Sequence, residues 1–357
     1  MPRCETKKQF LGWFALTFAM VAAGLFPALA APPNYFTRTW QVEQGLPQNK
    51  VTAAVQARDG YLWVGTYNGL ARFDGVHFSV FNDHNTPALH SRRITSLFES
   101  ADGTLWIGTE TGDVAQYKDG HFAAVPRRAN WSGGKIYAIT ADDAGEVWLL
   151  NEAGELARVR DGKTLSPPAG VVAKVVSLAR GPDGTIWVER EGRVSLLTRG
   201  QLQPVGFAAT NSETYPYIQG IATSRDGGLW VASNGGIRKW KDGGWAADLG
   251  NAPWGWNTVA NFMETSGGVL VGGTSSDGLW LAFPGQTNTS ALHFTSTNGL
   301  PSDWVISLWE DREKNLWCGT GAGLVVIRPS NLETISPPDN WKSRSVLSVL
   351  PTPDGAL

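Results

Sequence analysis

The chain has 357 residues and a net charge of −2 at neutral pH, with 42 glycines, 17 tryptophans and only 17% charged residues. That balance excludes a nucleic-acid-binding protein, and two cysteines in such a length exclude a disulfide framework. Abundant glycine and large apolar rings suit many short strands joined by tight turns.

Residues 1–30 read as a secretory signal. Arg3, Lys7 and Lys8 form a basic start, residues 10–26 are an uncharged apolar run, and Ala28-Leu29-Ala30 supplies small residues for cleavage after Ala30. An uncleaved anchor helix is the rival reading, and the helix-breaking Pro27 counts against it. Cleavage would leave 27 basic and 31 acidic residues, with Cys318 as the remaining thiol. The expected location is periplasmic or extracytoplasmic. Cys318 follows Trp317 where other repeats carry Val or Ile, so it reads as a small packed hydrophobe.

Residues 34–42 (NYFTRTWQV) form an extended segment that belongs to no complete repeat. It is expected to pair as the outer strand of the last blade, closing a ring and removing exposed sheet edges. The repeats then run from about residue 45 to 335. The first contains GYLWVGTYNGLARFDG at 60–75, and its plan returns with Trp63, Trp106, Trp148, Trp187, Trp230 and Trp317 in equivalent places. In repeat six, GGVLVGGTSSDGL, Leu270 is read as taking the tryptophan's place. Steps of 39 to 47 residues between these positions mark an array of four-stranded units. The fold class is therefore all-β, a propeller of seven four-stranded blades over residues 31–335.

Alternation places the first strands at 51–56, 94–99, 136–141, 175–180, 218–223, 259–264 and 305–310. The second strand carries the tryptophan position, the third follows a glycine turn, and the fourth is read at 76–81 in repeat one and at 121–125 in repeat two. Outer strands in repeats three and four are poor, with Pro167, Pro168 and Pro204. Residues 336–357 read as the beginning of an eighth repeat or a second propeller, stopping one residue short of its tryptophan.

The pattern GLPxxxV followed by DGxLW, Gly-Thr and GLxRFDG resembles the two-component regulator propeller repeat, over residues 36–357. It is strongest in repeats one, two and seven, and weaker where Gly-Thr becomes Leu150-Asn151 and Glu189-Arg190. The resemblance implies the exported sensor region of a bacterial hybrid histidine kinase or diguanylate cyclase. It further implies a homodimer in the full-length protein, an oligosaccharide ligand, and a membrane connection only through segments outside this chain.

No Walker loop, nucleophile elbow or kinase motif is present, and the histidines do not pair at ligand spacing. Neither catalytic residue, metal nor cofactor is called for. Asp59, Asp102, Asp183 and Asp226 precede glycine in equivalent turns, where a carboxylate can bond the backbone. The stretch 224–230 (SRDGGLW) looks like the Asp-box of sialidase propellers, and a streptogramin-lyase-like propeller is a second enzymatic rival.

What remains is a binding face formed by the connections into the first strands and the turns between second and third strands. Lys50, Arg93, Lys135 and Lys174 stand just before four successive first strands, and Tyr217 and Trp304 hold that position in repeats five and seven. Trp254, Trp256, Trp131, Tyr67, Tyr215 and Glu110 join them as candidate ligand contacts. The cations are expected along one arc and the aromatics along the opposite one.

Overall fold

The computed structural model describes residues 34–127, 131, 133–160, 162–165, 175–198, 200–206, 217–284 and 291–330. The expected signal segment and the start of an eighth repeat lie outside these residues. Seven antiparallel four-stranded sheets stand in a ring. Blade one is Val51–Gln56, Leu62–Thr66, Gly69–Phe73 and Phe78–Phe81, and the other blades repeat this meander. Blade seven has only three strands of its own, ending in Leu324–Ser330. Its fourth is Asn34–Trp40, which pairs antiparallel with that strand from Asn34 opposite Ser330 to Trp40 opposite Leu324. The two ends of the ring are thus held by main-chain hydrogen bonds within one sheet.

Three strand boundaries differ from the sequence reading. The closing strand ends at Trp40 rather than 42, because Val42–Gln44 winds into a 3-10 turn. In blade one the outer strand begins at Phe78 rather than 76, because the Asp74 carboxylate accepts the amides of Val76 (2.8 Å) and His77 (2.6 Å) and bends the chain first. In blade four the first strand is Ser177–Arg180, because the Val175 amide bonds the Gly154 carbonyl of blade three at 3.0 Å.

A blade is apolar on both faces and must bury each against a neighbour. The repeat tryptophans do this. Trp63 and Trp148 are fully buried, and Trp106, Trp187, Trp230 and Trp317 nearly so. Trp63 meets Tyr117 of blade two at 4.8 Å between centroids, and Trp317 meets Phe73 of blade one at 6.3 Å. Truncating a buried ring of this kind costs about 3–5 kcal/mol.

Strand register corrects the reading of repeat six. Every repeat tryptophan sits opposite the next-to-last residue of its first strand: Val55 for Trp63, Phe98 for Trp106, Ala179 for Trp187, Trp309 for Trp317. In blade six that position is Met263, and it faces Val271. Leu270 faces Glu264, as Leu62 faces Gln56. Val271, not Leu270, therefore stands in the tryptophan's place. The doublet Gly272-Gly273 hid this, since only the second glycine matches the Gly-Thr step. Gly273 is the residue against the next blade, where an added Cβ would come 2.4 Å from Val305 Cγ1, and the matching Gly319 would come 2.6 Å from Val51 Cγ1.

At the far end of the first strands a polar contact joins each blade to the one before it. Glu99 accepts the Arg58 amide (2.8 Å), Glu264 the Arg225 amide (2.9 Å), Glu310 the Ser266 amide (2.6 Å) and Gln56 the Arg312 amide (3.0 Å). Arg180 donates to the Ala141 carbonyl (2.7 Å) and Thr223 to the Arg180 carbonyl (2.9 Å). All six belong to the last residue of a first strand. Only Ala141, with no polar side chain, leaves the junction of blades two and three without such a contact among the described residues.

The indole N–H groups are satisfied at this same end. Trp106 donates to Ser100 Oγ (3.0 Å), Trp148 to Asp142 Oδ2 (3.1 Å) and Trp317 to Asp311 Oδ2 (2.8 Å). Each acceptor directly follows a first strand. In blade one that residue is Ala57, and Trp63 Nε1 is buried without a partner. The Ala57 amide bonds the Tyr61 carbonyl at 2.9 Å, as the Ser100 amide bonds Thr104 at 2.9 Å, so a hydroxyl at 57 has the geometry of Ser100. Ala57→Ser should raise the unfolding free energy by about 0.5–1.5 kcal/mol, measured by denaturant titration. A loss of stability would show that Trp63 is not the orphaned donor.

Candidate functional site: a cation and aromatic row on one propeller face

In blades two, three, five and seven the residue before the first strand is fixed by its own blade. The amide after the second strand donates back to it: Glu110 to Arg93 (2.9 Å), Glu152 to Lys135 (2.8 Å), Asn234 to Tyr217 (3.0 Å) and Gly321 to Trp304 (2.9 Å). Their side chains therefore rise from rigid backbone on a common face.

Blades seven, one and two carry a continuous row. Lys50 Nζ lies 4.2 Å from the Trp304 ring centroid and 4.6 Å from that of Tyr67. Arg93 covers the same tyrosine at 4.3 Å, and its Nη2 donates to Glu110 Oε1 at 3.1 Å. In blade three, Lys135 Nζ stands 4.8 Å from the Tyr137 ring. Cation–π contacts of this kind contribute about 0.5–1 kcal/mol where exposed. The cations of blades one to three and the rings of blades five to seven meet where ring closure brings Trp304 beside Lys50. Farther round, Tyr217 is 52% and Trp256 68% exposed, against 43% for Trp304. The Trp256 indole lies over Gly235, where an added Cβ would come 3.2 Å from Nε1.

Two candidates do not belong to this face. Trp254 is buried, edge-on to Phe262 at 5.6 Å, with its six-membered ring in the space left by Gly272. Trp131 is half-buried against the core of blades two and three. Lys174 and Tyr215 lie outside the described residues. Tyr137 was missed as a contact. It is 54% exposed because it occupies a β-bulge between Ile136 and Ala138, the re-aiming position that recurs as Thr52 and Thr95. Those threonines bond the next blade's carbonyls, Ile94 at 2.7 Å and Ile136 at 2.8 Å, while Tyr137 is left free to project.

On the opposite face the turn aspartates bond backbone. Asp59 accepts the Tyr61 amide (3.0 Å) and Asp183 the Thr185 amide (3.0 Å). Asp226 differs, accepting from Lys239 and the Ser224 hydroxyl, which hold its carboxyl below the usual range. Burial pushes the Cys318 thiol up to about 12, as suits a core residue. Among the described residues no group of three or more His, Cys, Asp or Glu side chains is placed to hold a metal ion. No helix among them is long and apolar enough to cross a membrane.

Glu189 takes the place that Gly65, Gly108, Gly273 and Gly319 hold in other blades. It is buried, with the Gly192 amide donating to Oε1 at 3.1 Å. Burial raises its carboxyl, and the Gly192 contact offsets only part of that rise. A carboxyl raised on folding stabilises the fold fully below its unfolded value near 4.5, and that contribution is lost as pH rises through the folded value. Glu189→Gln keeps the acceptor and removes the titration. Thermal melts from pH 4 to 8 should show the variant gaining on the parent as pH rises, and parallel profiles would contradict this.

The comparisons with known proteins agree with this fold. The family model described as two component regulator propeller matches residues 45–68 and 88–111. No curated protein sequence matches the chain. Among solved structures, it is similar to the extracellular domain assigned to a hybrid two-component system, BT3049, from B. thetaiotaomicron (TM-score 0.64, 16% identity, 83% of this chain, 42% of that one). A second such domain, BT4673, gives a TM-score of 0.63 at 17% identity, covering 85% of this chain and 40% of that one. Virginiamycin B lyase from Staphylococcus aureus gives 0.63 at 14% identity, with 82% of this chain and 99% of that one covered. At such identities the likeness is one of fold, and the chain spans about two fifths of those extracellular domains. The chain is thus a seven-bladed propeller that matches the two-component regulator propeller repeat over residues 45–68 and 88–111.

Proposed function

We propose that this chain is the extracytoplasmic ligand-sensing propeller of a membrane-bound signal-transduction regulator, and that its face recognises an oligosaccharide. The observation that carries the reading is the set of exposed rings Tyr137, Tyr217, Trp256 and Trp304 on the face that also presents Lys50, Arg93 and Lys135. A flat aromatic suits the apolar face of a sugar ring, and a cation suits a carboxylate or sulfate. Similarity to extracellular domains of two-component systems supports the sensor assignment. Transmission to an output then requires a ligand with different affinity for two arrangements, supplied in this reading by a homodimer.

A second reading is a periplasmic carbohydrate-active enzyme, lyase or glycosidase, and the likeness to virginiamycin B lyase along almost all of that chain supports only that such a fold can carry an enzyme. The two separate by product analysis, since a sensor returns its oligosaccharide unchanged. For the first reading, calorimetry compares neutral and acidic oligosaccharides. Trp256→Ala should weaken both by about tenfold, and Lys135→Ala the acidic series alone. A bound oligosaccharide that neither substitution affects by as much as about threefold contradicts the face assignment.

A further inference from the structure

The place of Val271 leaves a consequence at the junction of blades six and seven. Other junctions are filled there by an indole. At this one a cleft of about 140 Å³ remains, walled by Val271, Leu281, Leu316 and Ile327. Those four side chains are buried and apolar. Enclosed apolar cavities of about this size take up a benzene-sized ring, and this cleft, open to solvent on one side, offers such a ring an apolar wall. Thr265, Glu310 and the exposed Lys314 also line the cleft. These residues lie in or beside the turns after the first strands, at the end of the blades opposite the cation and aromatic row.

The polar groups that serve the indoles elsewhere are present here too. Trp106, Trp148 and Trp317 donate to the residue directly following a first strand, which in blade six is Thr265. Trp230 donates instead to Glu264, the last residue of the next blade's first strand, at 3.1 Å. The equivalent residue of blade seven is Glu310. Both kinds of acceptor therefore border the cleft. Thr265 Oγ1 accepts the Val269 amide (3.0 Å) and Glu310 accepts from Ser266, and each oxygen set retains room for another donor.

We infer that the cleft between blades six and seven is a binding site for a planar aromatic molecule bearing a ring N–H, of the indole type. The ring lies against Val271 and Leu281, and its N–H donates to Thr265 Oγ1 or the Glu310 carboxylate. Binding there ties blade six to the blade completed by the closing strand, at the same place where a tryptophan ties the other junctions.

The test uses the full chain with indole as probe, read by calorimetry and by thermal shift. Indole should bind and raise the melting temperature, since it binds the folded state. Val271→Trp should raise the melting temperature without ligand and abolish the response to indole. Leu281→Phe fills the cleft from the other wall and should also abolish it, which keeps the test decisive if the first variant folds poorly. N-methylindole, lacking the donor, should bind about fivefold more weakly. No indole binding by the parent chain, or binding that persists in both filled variants, overturns the site. Equal affinity for N-methylindole overturns the assigned acceptors.

Discussion

The architecture depends on how one blade meets the next. A single four-stranded sheet with two apolar faces has no stable existence in water, so each must bury both faces against neighbours. The repeat sets aside one position for this, opposite the next-to-last residue of the first strand, and fills it with tryptophan in six blades. Large rings give packing contact without polar demands except at the indole nitrogen, and the adjacent turn supplies the acceptor. Glu99, Glu264, Glu310 and Gln56 then fix the rotation of four blades on their neighbours, because each bonds a turn amide of the preceding blade. Apolar filling and polar indexing act at the same end of the junction. The opposite end is left to vary and carries the candidate binding face.

That division explains what the residues of the face can do. Arg93 is already paired with Glu110, so an anionic ligand there competes with a carboxylate of the protein itself. Screened pairs of this type are worth little, and displacement is cheap. Lys50 is held between the faces of Tyr67 and Trp304 and makes no ion pair among the described residues. It is therefore the cation most available to a ligand anion, in a place where two rings also offer stacking surface. Tyr137 and Lys135 repeat the combination one blade farther on.

Most of the fold is legible in the chain because its signal is periodic. Repeated Gly-Thr steps and tryptophans report strand positions directly, and the first strands of six blades lie where alternation puts them. The legibility fails where one repeat changes two things together. Blade six loses its tryptophan and doubles its glycine, so the eye aligns on Gly272 and sets Leu270 one position early. Pairing of Met263 with Val271 corrects it. Site residues are harder, since exposure depends on packing that composition does not encode. Trp254 and Trp256 are two residues apart in one connection, yet Gly272 receives the first ring and the second stands in solvent. Tyr137 projects because of a bulge whose occurrence is regular but whose side chain differs from blade to blade. The bulge recurs at the second residue of six first strands, as Thr52, Thr95, Tyr137, Gln219, Ala260 and Ile306, and comparison at that one position is the signal that finds the tyrosine.

The central structural claim is that the ring is closed by its two ends, through Asn34–Trp40 in the seventh blade. The most direct measurement is thermal unfolding, with hydrogen exchange, of the chain lacking residues 34–40. Removing that strand exposes Leu324–Ser330 as an edge and takes Trp40 from its contact with Trp317. Closure by this strand predicts a melting temperature lower by at least about 5 °C and loss of amide protection in residues 324–330. An unchanged melt with residues 324–330 still protected would contradict it.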